Sequence, residues 1–329
     1  MRPLVSVIIP VYQVSDYVER CLSSVMKQTY ENIECVIVND ATEDDSIIKC
    51  KKLIENYKGP VTFKILHHER NRGLSAARNT GTDATAGDYL YYLDSDDEIT
   101  SVCIEKLVSY VIEDGSIEMV QGRYLRICDG KETLGKSDEI RILSNDEARN
   151  RYLNWRTINY AVWNKLLKRS FVRDNQLYNR EGIICEDLLW TFYLIKCLCN
   201  AQLCDDITYY YHIRQDSILT GSGVEKKGKA NVKIFNEILQ NLTLGKEAEE
   251  LKGYQTTFCT VLANFYRCVP ELKPVLRLYK KLAKQYGCRA VYFIISVVAL
   301  LSRFGNPISL LEKLNTMRLK AKKFFHGYV

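Results

Sequence analysis

The sequence lacks the features that mark membrane-spanning, secreted or zinc-binding proteins. No apolar run reaches the ~18 residues that a membrane-spanning helix needs, and the densest stretch, from Val291 to Leu301, is too short. The amino terminus has no basic segment followed by a long apolar core, so no signal peptide is expected. The 12 cysteines form no CxxC pair and no cysteine–histidine cluster with zinc spacing. We therefore expect a cytoplasmic protein with reduced, buried thiols, with a disulfide framework as the alternative.

The composition is that of an ordinary folded protein. Of the 329 residues, 47% are hydrophobic and 26% are charged, which suits one large domain with an appendage or two domains. The net charge of +6 is a mild excess. It fits a chain that handles an anionic substrate or contacts an anionic membrane surface, and it does not require nucleic acid.

Strand-like and helix-like segments alternate in the first part of the chain. Short β-branched runs such as Val5 to Ile9 predict strands, and residues 18–26 have apolar residues at helical spacing. This order predicts an α/β fold with a mostly parallel central sheet that is covered by helices on both faces. Ligands of such sheets bind outside the carboxyl ends of the strands. Pro10-Val11-Tyr12, Asn39-Asp40 and an acidic cluster all follow predicted strands.

The pattern is less regular beyond about residue 128. The sequence there predicts helices over residues 144–155, 161–168 and 187–199 and a strand over residues 208–213. Thr220-Gly221-Ser222-Gly223 is a predicted linker. Nearly everything after it has a helical pattern, so a helical carboxyl-terminal region is expected over residues 224–329.

The acidic cluster Asp94-Ser95-Asp96-Asp97 directly follows an aromatic strand-like run. Three carboxylates in four residues repel one another unless a cation or solvent relieves them. A hard divalent ion such as Mg²⁺ or Mn²⁺ prefers oxygen ligands, and a diphosphate can complete its shell. The alternative is a solvated acidic turn before the next helix. The position at a carboxyl end of the sheet favours the metal site.

Three other polar segments have two interpretations each. Asp40 either binds a nucleobase or ribose, or it forms an Asx-turn before the next helix. The segment from Asn71 to Asn79 either brings Arg78 to a phosphate or is an ordinary loop and helix. Asp187 either takes a proton from an acceptor hydroxyl or is stabilised there by the helix dipole alone.

Taken in order, these segments resemble the family-2 glycosyltransferases with the GT-A fold, of the bacterial surface-polysaccharide type. The resemblance covers residues 1 to about 220, and each piece is short while the ordered set is specific. The matching segments are Val5-Ser6-Val7-Ile8-Ile9-Pro10-Val11-Tyr12, Cys21-Leu22-Ser23-Ser24-Val25, Gln28-Thr29-Tyr30, Val36-Ile37-Val38-Asn39-Asp40, residues 71–81, Gly87-Asp88-Tyr89, Leu93-Asp94-Ser95-Asp96-Asp97, Trp163-Asn164-Lys165-Leu166, Glu186-Asp187 and Tyr210-Tyr211-His212-Ile213-Arg214.

The resemblance implies a nucleotide-sugar-binding half over residues 1–125 and an acceptor half over residues 126–220. In the first half, Asp40 resembles the carboxylate that binds the donor base, usually uracil. Pro10 and Tyr12 resemble the wall around base and ribose, and Arg78 faces the nucleotide. Further substrate contacts are implied at Asn71, Asp94, Trp163 and Arg214.

For the metal and the chemistry, the resemblance again implies named residues. Asp94 and Asp96 match the ends of the DxD motif, with Asp96 as the direct ligand of Mn²⁺ or Mg²⁺. Asp97 and His212 are further candidate ligands. Asp187 matches the catalytic base of an inverting transfer from a nucleoside diphosphate sugar, UDP-linked by the match at Asp40, to a hydroxyl of a glycan or lipid-linked glycan acceptor.

The sequence departs from the family pattern at two places. Asn39 stands where the family usually has a first aspartate, and Ala41-Thr42 replaces Gly-Ser, while Asp40 keeps the more important position, so the resemblance still implies uridine binding. No QxxRW signature is present, so a single transfer is expected rather than processive synthesis. The alternative is a non-catalytic nucleotide-sugar-binding protein on the same fold. A nucleotidyltransferase needs a glycine-rich loop after the first strand, and Pro10-Val11-Tyr12 is not one.

The carboxyl-terminal region ends in a basic segment that contains aromatic residues, Arg318 to Phe325. Such a composition suits an anionic membrane surface. The alternative is a helical bundle that packs on the catalytic domain and ends in a solvated basic tail. Because related transferases act on lipid-linked acceptors, the resemblance favours peripheral attachment to the inner face of the plasma membrane.

Overall fold

The computed structural model describes residues 2–135, 139–155, 157–214, 223–266 and 268–302. The chain divides into two compact units, Met1–Gly221 and Ser222–Val329.

The first unit is built on one large sheet. Its strands are β1 (Val5–Val11), β2 (Ile33–Asn39), β3 (Thr62–His67), β4 (Tyr89–Tyr92), β5 (Glu98–Ile99), β6 (Met119–Cys128), β7 (Lys131–Leu134), β8 (Ile140–Ile142), β9 (Lys165–Lys168) and β10 (Ala201–His212). Its helices are α1 (Val18–Met26), α2 (Ser46–Asn56), α3 (Leu74–Asp83), α4 (Cys103–Glu113), α5 (Asn145–Asn150), α6 (Arg169–Asp174) and α7 (Glu186–Cys197), with a π-helical turn at Arg151–Trp155.

The strand order is β3-β2-β1-β4-β9-β6-β10-β5, with β7 beside β6 and β8 beside β10. The run β3-β2-β1-β4 is parallel, as the alternating sequence pattern predicts, and so is the β6-β10 pair. The other pairings are antiparallel. The predicted α/β fold is therefore confirmed, and its sheet is mixed because β9 enters between β4 and β6 in the opposite direction.

The sequence predicts a helix over residues 161–168. This prediction is wrong for residues 165–168, which form strand β9. Leu166 and Leu167 are adjacent in sequence and both fully buried. A central strand that is covered on both faces has such a continuous apolar run, which periodicity alone does not separate from a buried helix. The predicted helix over residues 187–199 is confirmed as α7, and the predicted strand over residues 208–213 is the end of a longer β10.

The core of the first unit lies on both faces of β1, whose seven residues are all buried. On one face, α1 contributes a buried stripe at the helical spacing seen in the sequence. On the other, α3 approaches closely at Gly81, where an added Cβ would lie 2.4 Å from Ile8 Cγ2. Each fully buried aliphatic side chain stabilises the fold by roughly 1.5–3 kcal/mol, so this central sandwich fixes where the strand ends and their loops lie.

All twelve cysteines are free thiols in the structure. Most are buried or half-buried, and Cys199 and Cys268 are exposed. Burial raises the pKa of Cys50 and of Cys103 to about 12, which keeps these thiols protonated near neutral pH.

The second unit is helical in its described part. Its helices are α8 (Val224–Gln240), α9 (Glu247–Phe265), α10 (Leu272–Gln285) and α11 (Arg289–Leu301). Phe258 lies at the centre, with ring centroids 4.9 Å from Phe235 and 4.7 Å from Tyr279. Among the described residues, no helix combines the length and the apolar character needed to cross a membrane. The basic segment from Arg318 to Phe325 lies outside the described residues.

Candidate active site

The segments singled out in the sequence meet at the carboxyl edge of the parallel strands. Tyr12 follows β1, Asp40 follows β2, and the acidic cluster follows β4. Helix α7 begins at this edge as well, because its first residue, Glu186, reaches Arg78 on α3 and through it the acidic cluster. Backbone groups and charges from distant parts of the chain are therefore close together here.

Arg78 is the centre of this arrangement. Its side chain is 3% exposed, and its Nη2 donates to Asp94 Oδ1 at 2.6 Å while its Nη1 donates to Glu186 Oε1 at 2.7 Å. Burial opposes the charge of the guanidinium, but the carboxylates of Asp94 and Glu186 outweigh it and raise the pKa of Arg78 above its ordinary value. The pair of charge-assisted bonds joins α3, the acidic cluster and the start of α7.

Asp187 lies beside this network in the first turn of α7. Its Oδ1 accepts a hydrogen bond from the backbone N–H of Leu188 at 2.9 Å. Burial and then the charge of Glu186 raise the pKa of Asp187 to about 7. The preceding residue, Cys185, has a left-handed backbone with φ of 59°, a strained conformation for a residue with a side chain. A carboxyl group with a pKa near neutrality is suited to accept a proton.

The three aspartates of the acidic cluster have different partners. Asp94 Oδ1 is paired with Arg78, and Asp96 Oδ2 lies 2.7 Å from Nε of Arg214. Both oxygens of Asp97 are engaged inside the fold, by the hydroxyl of Tyr209 at 2.6 Å and the backbone N–H of His212 at 2.8 Å. Burial, followed by the neighbouring aspartates, raises the pKa of Asp97 and of Asp96.

This donor set fits a divalent cation in part. Asp94 is bonded to Arg78 through Oδ1 and Asp96 to Arg214 through Oδ2, and hard cations prefer carboxylate oxygens such as the second oxygen of each. His212 instead directs Nε2 to Glu98 Oε1 at 2.8 Å. The described part of the chain contains no group of three or more acidic, cysteine or histidine residues placed to hold a metal. Since Asp97 and His212 are bonded inside the fold, Asp94 and Asp96 are the better candidate ligands, and a diphosphate would complete the shell of the cation.

Asp40 is buried and anchors the loop before α3. Its Oδ1 accepts from the backbone N–H of Arg72 at 2.8 Å and lies 2.6 Å from Nδ1 of His68. Its Oδ2 accepts from the N–H of Gly73 at 2.7 Å. The φ of 90° at Gly73 suits glycine and allows this approach. The structure thus gives Asp40 a definite structural task, while its predicted contact with the donor base stays a prediction.

Asp40→Ala is expected to destabilise the first unit by about 2 kcal/mol, because it leaves the amides of Arg72 and Gly73 and the ring of His68 without their acceptor. Equilibrium urea unfolding checks this. Asp45→Ala is the matched control, since Asp45 is exposed and its side chain makes no cap hydrogen bond. Equal midpoints for the two variants would contradict the anchoring role.

The other predicted donor contacts surround Asp40 in different states of burial. Pro10 is buried within β1, whereas Tyr12 is 40% exposed and Asn71 is exposed. Ala41 has a φ of 56°, so the loop adopts a left-handed backbone at the position where the family usually has glycine.

Trp163 is packed beneath the acidic cluster. Its ring stacks on Tyr209 with centroids 4.4 Å apart and on Tyr211 at 5.3 Å, and it contacts Tyr124 edge-on at 5.1 Å. Since Tyr209 holds Asp97, this aromatic stack positions the cluster from below. Its predicted substrate contact stays a prediction.

Sequence reasoning gave no role to Arg20, Glu186 or Tyr209. Arg20 Nη2 donates to the backbone oxygen of Asp96 at 2.6 Å, and Tyr209 and Glu186 hold Asp97 and Arg78. For Glu186 the signal was present, as an acidic residue beside Asp187 in a first helical turn. For Arg20 and Tyr209 no local pattern indicated the contact.

Comparisons with known proteins agree with this geometry. The chain is 30% identical over 224 residues to the uncharacterized glycosyltransferase EpsJ of Bacillus subtilis, covering 66% of this chain and 63% of EpsJ. It is 27% identical over 245 residues to the minor teichoic acid biosynthesis protein GgaB of Bacillus subtilis, covering 71% of this chain and 25% of GgaB. The chain thus spans less than two thirds of either relative.

A solved structure supports the fold. S. aureus TarS 1-349 in complex with UDP-GlcNAc superposes with a TM-score of 0.65 at 21% identity over 91% of each chain, which shows the predicted GT-A fold. The model of the family described as "Glycosyl transferase family 2" matches residues 6–175, more than half of the chain. The match contains β2 to β9, most of β1, Arg78 and the acidic cluster, whereas α7 with Asp187 and strand β10 follow it. The chain belongs to glycosyltransferase family 2.

Proposed function

We propose that the protein moves one sugar from a nucleoside diphosphate sugar to a hydroxyl of a glycan or lipid-linked glycan acceptor, with inversion at the anomeric carbon. The observation that carries this proposal is the Arg78 network, which brings the raised-pKa carboxyl of Asp187 to the same sheet edge as Asp94 and Asp96. A proton acceptor and a diphosphate site at one edge are the two parts that such a transfer needs.

On the donor side, Asp94 and Asp96 would hold Mg²⁺ or Mn²⁺ through their carboxylate oxygens. A bound cation of this kind neutralises the negative charge that develops on the departing diphosphate. Arg214, which is paired with Asp96, is a nearby cation that can bind the phosphate when the metal occupies that carboxylate.

On the acceptor side, Asp187 takes the proton from the attacking hydroxyl. The hydroxyl oxygen forms a bond to the anomeric carbon as the bond from that carbon to the diphosphate oxygen breaks. The electron pair of the broken bond leaves with the nucleoside diphosphate, and attack from the opposite face inverts the configuration. Asp187 is suited to this step because its pKa is raised to about 7.

The comparisons support a substrate class without naming the sugar. TarS was solved with UDP-GlcNAc, which supports a UDP-linked donor, and GgaB is a teichoic acid biosynthesis protein, which supports an acceptor in a surface polymer. We include in the proposal a cytoplasmic site of action, peripheral to the inner face of the plasma membrane. Its support is the mild positive charge and the basic composition of residues 318–325.

A donor screen tests the function. Heat protection and slow donor hydrolysis are measured for UDP- and GDP-sugars, with and without Mn²⁺. We expect a UDP-sugar to protect and to be hydrolysed only with the metal. Metal-dependent protection without turnover of any donor or transfer to any acceptor would instead support a binding protein.

Asp96→Ala is expected to lower turnover of the accepted donor by about 10²-fold, because one of the two carboxylates proposed to hold the metal is lost. The measurement is the initial rate across Mn²⁺ concentrations, where the variant needs more metal for half-maximal rate. Asp206→Ala, at a surface carboxylate paired with Lys106, serves as the control. An unchanged rate at Asp96→Ala would remove this residue from the metal site.

A further inference from the structure

Tyr160 is an exposed aromatic residue on a segment that is held from below by buried polar side chains. The residue is 55% exposed, although the nearby Ile158 and Ala161 are buried. Because β9 starts at the carboxyl end of β4 and runs antiparallel to it, the segment that precedes β9 lies at the same sheet edge as the acidic cluster. The resemblance to the family assigned no role to this residue.

Three side chains that are almost fully buried fix the segment. Lys165 is 0% exposed, and its Nζ donates to Asn159 Oδ1 at 2.6 Å and to the backbone oxygen of Ala161 at 2.5 Å. Gln121 accepts from the N–H of Asn159 and donates to the backbone oxygen of Thr157. Burying a lysine and an amide costs free energy unless they are hydrogen-bonded, so these bonds hold the loop in one place.

The third anchor connects the loop with the candidate base. Thr191 on α7 is fully buried, and its hydroxyl donates to the backbone oxygen of Tyr160 at 2.7 Å. Thr191 follows Asp187 by four residues, so both lie on one face of α7, one turn apart. Burial lowers the pKa of Lys165, and the charge of Asp187 opposes this shift.

We infer that Tyr160 is the platform on which a pyranose ring of the acceptor stacks, with its reacting hydroxyl directed to Asp187. The axial C–H bonds of a pyranose carry partial positive charge and match the negative face of a tyrosine ring. A rigid backbone makes this contact specific, because a site on a fixed loop needs no ordering when the sugar binds. The inference rests on the proposed transfer and names its acceptor contact.

Saturation-transfer NMR with methyl β-glycosides of glucose, galactose and N-acetylglucosamine, in the presence of UDP, tests this inference. We expect the wild-type protein to bind at least one of them with the strongest transfer to the protons of one ring face. Tyr160→Ala should weaken that binding about tenfold, and Tyr160→Phe should keep it within about twofold, because the stacked face and not the hydroxyl makes the contact.

Tyr178→Ala is the matched control. Tyr178 is 39% exposed, and its hydroxyl donates to Asp83 at the carboxyl-terminal end of α3, away from the site edge. Thr191→Val tests the anchoring and should weaken glycoside binding less than Tyr160→Ala, with recovery in Thr191→Ser. Melting curves of all variants confirm that each is folded.

Three results would overturn the platform. The first is the absence of saturation transfer from the wild-type protein to any of the three glycosides. The second is unchanged glycoside binding in Tyr160→Ala, and the third is an equal loss of glycoside binding in Tyr178→Ala. UDP binding by calorimetry and donor hydrolysis in water need no acceptor, so Tyr160→Ala should retain both. Their absence in the wild-type protein would count against the proposed function, whereas the glycoside measurements judge Tyr160 separately.

Discussion

Replacing Asp187 with asparagine is expected to lower kcat by about 10³-fold, because the variant has no carboxylate to take the proton of the attacking hydroxyl. Asparagine keeps the oxygen that accepts from the N–H of Leu188, so the start of α7 should be unchanged. The KM of the donor should stay within about twofold. Steady-state rates with the donor found by screening give both constants. Glu181→Gln, at an exposed carboxylate in the segment that precedes α7, is the control.

The same residue sets the pH dependence. Only the deprotonated carboxylate accepts a proton, so kcat of the wild-type protein should fall as the pH decreases through about 7 and level off above it. A midpoint near the ordinary value of an aspartate would contradict the raised pKa. A flat profile together with an active Asp187→Asn protein would remove Asp187 as the base.

The raised pKa also has a consequence for stability. A carboxyl whose pKa is higher in the folded protein than in the unfolded chain opposes folding at every pH where the unfolded chain is ionised, and fully so above the folded pKa. Asp187→Asn should therefore unfold at a higher temperature than the wild-type protein at pH 8, and the difference should shrink as the pH falls below about 7.

Arg78→Met is expected to destabilise the first unit by about 3–5 kcal/mol, since it leaves the carboxylates of Asp94 and Glu186 facing each other without their buried cation. Urea unfolding followed by tryptophan fluorescence measures this loss. All 3 tryptophans of the chain lie in the first unit, so the signal reports on that unit. Arg173→Met, at an exposed position of α6, is the control.

A second substitution separates the charge from the packing at Arg78. Glu186→Gln removes one of the two uncompensated charges, so the Arg78→Met/Glu186→Gln protein should regain part of the lost stability. Arg78→Lys should be intermediate, because a single ammonium group cannot reproduce two bonds at 2.6 and 2.7 Å in different directions. If the losses of unfolding free energy in Arg78→Met and Glu186→Gln simply added up in the double variant, the two groups would not be coupled.

The sequence was sufficient for the parts of the fold that local patterns encode. The alternation of β-branched runs with amphipathic helices predicted β1 to β4 and their parallel order. It also placed Asp40 and the acidic cluster at one edge, because parallel strands share their carboxyl ends. Strand β9 was missed since a short apolar run has the same pattern in a buried helix.

The contacts that define the site could not be predicted in the same way. Arg78 and Glu186 are separated by 108 positions, and nothing local to either indicates their ion pair. The three bonds to Asp40 depend on the path of residues 68–73 and on the positive φ of Gly73. Such contacts depend on how distant segments pack, which one sequence read by pattern does not contain.

The two exposed thiols give this chain a natural pair of attachment points for spectroscopic labels. Cys199 belongs to the first compact unit and Cys268 to the second. Accessible thiols react first with maleimide or methanethiosulfonate reagents, because burial keeps groups such as Cys103 protonated and out of reach. Spin labels at these two positions would measure the separation of the units by double electron–electron resonance, in the presence and absence of a nucleotide, without an engineered cysteine.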